Sequence, residues 1–95
     1  MRSPLVIRRV VGDSMFPTLS PGDLIFATGF YKDLLKGDIV IFKHRGIDKI
    51  KRVEDVHGTE FYVLGDNAPS STDSRSFGWL PLSDVKAKAI WPRPK

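Results

Sequence analysis

The sequence predicts a mainly β fold, a small twisted sheet or partly open barrel. Two observations predict it. Proline and glycine punctuate the chain roughly every ten to fifteen residues, and the short stretches between them are rich in β-branched side chains. Helical periodicity is weak throughout. The length, 95 residues, fits one domain over residues 1–95, large enough for a modest core.

Taken in order, residues 5–11 (Leu-Val-Ile-Arg-Arg-Val-Val) read as a first strand. Pro21-Gly22-Asp23 is a turn, since proline presets φ at the second turn position and glycine accepts positive φ at the third. It launches a strand over residues 23–28. Lys36-Gly37-Asp38 repeats the device before a strand over residues 39–43. Residues 47–56 and 61–64 read as two strands of a hairpin joined by His57-Gly58-Thr59-Glu60. Residues 65–78 hold Gly, Asp, Asn, Ser, Thr and Pro with almost no apolar content, which reads as a long structureless loop of the functional kind. Residues 30–35 and 82–85 each suit a single helical turn. Residues 85–91 close the sheet before Pro92 and Pro94.

Composition excludes several chemistries. Without cysteine there is no disulfide framework and no thiolate nucleophile or metal ligand. His44 and His57 have no metal-ligand spacing, so no metal and no organic cofactor is expected. The longest apolar runs, residues 24–27 and 39–42, are far short of the ~20 residues that span a bilayer. Arg8 and Arg9 interrupt the apolar stretch of residues 1–11, so it is no secretory signal. The expectation is a soluble, cytoplasmic chain. A net charge of +4 permits contact with nucleic acid or a membrane surface, but the basic residues are scattered and read as a solvated face.

Three contexts carry chemistry. Ser14, in Gly12-Asp13-Ser14-Met15-Phe16-Pro17-Thr18-Leu19, stands after a strand and before a proline-fixed bend, a corner that presents a hydroxyl beside unpaired backbone N–H groups. Lys51, in Ile50-Lys51-Arg52-Val53, sits among apolar neighbours, where loss of solvation lowers the pKa of an amine and fits it to act as a base. The third context is Gly65-Asp66-Asn67 followed by Ser71-Thr72-Asp73-Ser74-Arg75 and Gly78.

These blocks, in this order and over nearly the whole chain, resemble the type I signal peptidases and their relatives, which are Ser–Lys dyad proteases. The resemblance implies a coiled β-sheet core, with Ser14 as nucleophile and Lys51 as general base. It implies that Ser71 hydrogen-bonds the lysine amine and aims it, that Asp73 and Arg75 pair to hold their loop, and that Asp66 and Asn67 shape the turn. Gly12 stands where some members carry a serine that assists the oxyanion hole, so backbone donors are left to serve it. Met15, Phe16 and Pro17 are implied to border a substrate groove.

Only eight residues, 54–61, join the Lys51-Arg52-Val53 block to Tyr62, and no transmembrane segment or inserted β-domain is present. This minimal form resembles the nickel-type superoxide dismutase maturation proteases. The expected function is removal of an N-terminal leader from a protein precursor bound as an extended strand, with no nucleic acid and at most peripheral contact with a membrane. Three alternatives stand beside it. One is the catalytic core of a signal peptidase that processes secreted preproteins. Another is a non-catalytic basic module that binds nucleic acid or membrane surfaces. The last is a self-cleaving repressor-type relative, which needs a helical DNA-binding domain ahead of Ser14.

Overall fold

The computed structural model describes residues 2–92. Seven strands form one antiparallel sheet: β1 (Val6–Arg9), β2 (Leu24–Thr28), β3 (Ile39–His44), β4 (Ile47–His57), β5 (Glu60–Leu64), β6 (Leu80–Pro81) and β7 (Val85–Trp91). Their order across the sheet is β1-β2-β7-β3-β4-β5-β6. The ladder ends at β1 and β6, so the sheet is open. It is nonetheless curled: alternate residues of β3 pack into two separate buried clusters, and the chain as a whole measures 28 × 28 × 26 Å along its principal axes. Three bulges bend it. Ile90 is the extra residue against β2, Lys86 the extra residue against β3, and Glu54 the extra residue of β4 against β5.

Curling gives the central strand a core on each face. Ile39 and Ile41 pack with Val10, Met15, Leu19 and Ile25, while Val40 and Phe42 pack with Val53, Phe61, Val63 and Val85. A strand buried on both faces reads as an unbroken apolar run, which is why residues 39–42 show no alternation.

The two Gly-Asp turns are built alike. The N–H of Ser20 donates to the Asp23 carboxylate and that of Leu35 to the Asp38 carboxylate, both at 2.8 Å. The Asp23 and Asp38 N–H groups return to the Ser20 and Leu35 carbonyls, both at 3.0 Å. Gly22 and Gly37 carry φ of 92° and 97°, the left-handed backbone that the turn demands of its third residue.

Three expectations are corrected, and one strand was not foreseen. The first strand is shorter than residues 5–11, since the chain turns away toward Gly12 and Val11 is exposed. Residues 30–35 make no helical turn, whereas Leu82–Asp84 does. Residues 65–78 are not structureless: they hold a one-turn 3-10 helix, Ala68–Ser70, and a short helix α1 (Ser74–Phe77). Polar bonds hold this segment in place of apolar burial. Asp73 accepts from the N–H of Arg75 at 3.2 Å to cap α1, and the buried Ser74 hydroxyl accepts the N–H of Val63 at 2.9 Å. Finally, β6 is too short for any pattern to announce it. Pro94 lies outside the described residues.

Candidate active site

Lys51 stands in β4 directly opposite Val40 of β3. Opposed residues of an antiparallel pair share a face, so its neighbours there are Val40 and, two positions along its own strand, Lys49 and Val53. Val40 and Val53 are fully buried, and Lys51 is 6% exposed. Burial pushes the amine below its ordinary value, and the positive charge of Lys49 pushes it the same way. Asp73 pulls upward and Arg75 downward, both more weakly. Among the described residues no carboxylate forms an ion pair with Lys51.

The partner on the other side of Lys51 is an empty place. The β4–β5 ladder ends at Arg52 opposite Leu64, and one more step sets Gly65 opposite Lys51. A Cβ built on Gly65 meets the Ser71 Oγ well inside contact distance, the Ser71 Cβ at 2.5 Å and the Ser14 carbonyl oxygen at 2.7 Å. The Ser71 hydroxyl therefore fills the space that a side chain at position 65 would take. Side chains so opposed lie roughly 5 Å apart, which brings that hydroxyl alongside the Lys51 stem. Glycine is required here by close approach.

Asn67 fixes the serine loop from the same side. Its N–H donates to the Ser14 carbonyl at 2.8 Å, and its side-chain amide donates to the Asp13 carbonyl at 3.1 Å. Asp66 accepts a two-pronged bond from Arg52, at 2.9 and 2.8 Å, and a bond from the Thr18 hydroxyl, tying β4 to both loops. The Arg52 bond holds the Asp66 carboxyl below its usual range.

Asp73 is 1% exposed and is the hub of the second loop. It accepts from the Gly65 N–H at 2.8 Å, the Ser71 hydroxyl at 2.7 Å and the Arg75 guanidinium at 2.9 and 2.7 Å. Burial alone raises its pKa, but the bonds from Arg75, Gly65 and Ser71 outweigh it and hold the carboxyl far below the usual range.

Ser14 and Lys51 both line a cleft of about 580 Å³, with Gly12, Lys49, Ser70 and Thr72 among its other walls. Among the described residues no protein group accepts the N–H of Ser14, which leaves it available to an oxyanion. Gly12, at φ 77°, occupies left-handed backbone where a serine would be strained.

The groove expectation is corrected in part. Met15 is 1% exposed and packs in the core, yet it also lines this cleft. Phe16 is 49% exposed but neither it nor Pro17 lines this cleft. Ser71 bonds Asp73, a contact the sequence reading did not foresee, and among the described residues it makes no hydrogen bond to the Lys51 amine, the contact the resemblance implied. That reading named Gly65 within its motif without a role and gave none to Lys49; a glycine at the end of a strand is the signal that pointed to the first. Among the described residues no group of three or more His, Asp or Glu is placed to hold a metal ion.

Gly65→Ala is accordingly expected to lower stability by about 1–3 kcal/mol, as overpacking does. Adding Ser71→Gly removes two of the three clashes, leaving the one with the Ser14 carbonyl, and is expected to restore part of the stability. Thermal melts check this, and a wild-type midpoint in the single variant rejects the close approach.

A family model described as signal peptidase, peptidase S26, matches residues 47–93. The signal peptidase complex catalytic subunit SEC11C of Homo sapiens, Canis lupus familiaris and Mus musculus is in each case 36% identical over 100 residues, covering 92% of this chain. The chain spans 50% of the length of these relatives.

Proposed function

Because this chain belongs with the type I signal peptidase-like proteins, we propose that it is a serine endopeptidase whose nucleophile is Ser14 and whose general base is Lys51. One observation carries the reading. A hydroxyl and a buried amine pushed toward its neutral form line the same cleft, gathered around the side-chain space that Gly65 vacates.

Lys51 takes the proton of the Ser14 hydroxyl as Oγ bonds to the scissile carbonyl carbon. The oxyanion rests on the Ser14 N–H. The C–N bond then breaks, and Lys51 gives its proton to the departing amine. Water next attacks the acyl-enzyme, Lys51 accepts its proton, and Ser14 is released with that proton returned. Ser71 acts as a positioning residue. Its own hydrogen is committed to Asp73, so its oxygen keeps lone pairs free to accept an N–H of Lys51 and aim the amine once the amine turns toward it.

The substrate we propose is a protein precursor laid extended in the cleft, recognised through its backbone with pockets for alternate side chains. Two narrower readings differ only in the precursor. The direct β4–β5 hairpin through Gly58 and Thr59, with no inserted domain, favours nickel superoxide dismutase maturation. Similarity to a catalytic subunit of a signal peptidase complex favours secreted preproteins, and gives a cytoplasmic location no support. No helix among the described residues is long and apolar enough to cross a membrane.

The test is a peptide mixture from digested proteins, incubated with the protein and read by mass spectrometry for new termini. Wild type is expected to create them and Ser14→Ala none. Termini that persist in Ser14→Ala, or none from either protein, overturn the proteolytic reading. Loss of cleavage combined with salt-sensitive nucleic-acid binding would favour the basic binding module instead. Offering both kinds of precursor then separates the narrower readings.

A further inference from the structure

We propose that the cleft continues past Lys51 into a cation-lined pocket formed by Arg45, Lys49 and Phe77, and that this pocket takes an acidic side chain of the substrate. The inference rests on the proteolytic reading for its substrate but on separate residues for its argument. The pocket has a volume of about 290 Å³ and shares Ile47, Lys49 and Thr72 with the catalytic cleft, so the two adjoin. Its remaining walls include His44 and Phe77, whose rings stack at 4.2 Å, and no carboxylate lines it. Lys49 Nζ lies 6.0 Å from the centre of the Phe77 ring. Among the described residues neither Arg45 nor Lys49 has an ion-pair partner. Two unpaired cations beside an apolar ring form a place for a carboxylate with a short aliphatic stem.

Arg45 supplies a second, independent observation. It occupies the two-residue turn between β3 and β4 with φ 51°, in left-handed backbone where asparagine or glycine is cheaper. A strained arginine at that tip, with its side chain on the pocket, is placed for its charge rather than for the turn. The spacing sets the register of the ligand. Lys49 lies roughly 7 Å and Ile47 roughly 14 Å along β4 from Lys51, so an extended peptide reaches the pocket two to four residues from its scissile bond.

The experiment titrates isotope-labelled Ser14→Ala protein with two alanine-rich octapeptides, one with a central aspartate and one with lysine there, following backbone amide resonances. The aspartate peptide is expected to bind about fivefold more tightly, the upper range for a solvent-exposed ion pair, and to move Arg45, Lys49 and Thr72. Arg45→Asn is expected to erase most of that advantage while the thermal midpoint holds or rises. Equal binding of the two peptides, or a preference that survives Arg45→Asn, overturns the pocket. In parallel, wild-type cleavage of the peptide mixture is expected to show Asp or Glu enriched at one position two to four residues from the cut. Ser14-dependent cleavage without that enrichment defeats the pocket and leaves the protease standing. Absence of cleavage defeats the protease, and the titration still decides the pocket.

Discussion

Lys51→Met is expected to lower the cleavage rate by on the order of 10²–10⁴-fold, the range of a general base, while leaving the protein as stable as wild type or more so. Both effects come from the same burial. An ammonium among Val40 and Val53 lacks the water that would stabilise its charge, and methionine keeps the stem while removing the charge. The sign of the pH dependence follows. The folded state holds Lys51 below its ordinary value near 10.5, so it releases this proton at lower pH than the unfolded chain does. The cost of burial is therefore complete below the folded pKa and fades as pH climbs toward the unfolded value. The stability advantage of the Met variant should be largest below the folded pKa and shrink as the pH climbs into alkali. Lys51→Arg is expected to be equally inactive and less stable, since guanidinium keeps its charge. A lysine that merely reached past the core to water would show neither effect, and a Met variant with wild-type cleavage would end the case for a base at this position.

The strands and turns were legible because each rests on a local device: β-branched runs, and Gly-Asp turns whose aspartates close their own loops. The contexts of Ser14 and Lys51 were legible for the same reason. What faces Lys51 was not. Counting straight back from the turn pair His57 and Glu60 sets Asp66 opposite Lys51, a carboxylate that would favour the charged amine. The extra residue Glu54 shifts the register by one, so that Gly65 takes that place and Asp66 turns to Arg52. No composition or periodicity announces such a bulge. Residues 65–78 were obscure for a related reason, since their order comes from Asp73 and Ser74 bonding to β5 and its end rather than from an apolar pattern.

Asp73→Ala is expected to cost about 2–4 kcal/mol, chiefly by leaving the buried Gly65 N–H without an acceptor and releasing Ser71. Arg75 adds less, because its side chain is 44% exposed and returns to water, so Arg75→Ala should be the milder change. The carboxyl is held far below its usual value near 3.8, so its contribution is complete above that value and lost only as pH falls through the depressed one. The stability gap between wild type and Asp73→Ala should thus stay level from neutral pH down to about 4 and close in stronger acid. A gap that closes at higher pH argues against the bonded carboxylate. The pH–rate profile separates this scaffold role from chemistry. Asp73 favours the charged Lys51 amine and Lys49 opposes it. In whatever fraction stays folded, Asp73→Ala should therefore move the rising limb to lower pH, and Lys49→Gln should move it to higher pH. Shifts of the same sign, or none, would separate the titrating group from Lys51 and place the base elsewhere in the cleft.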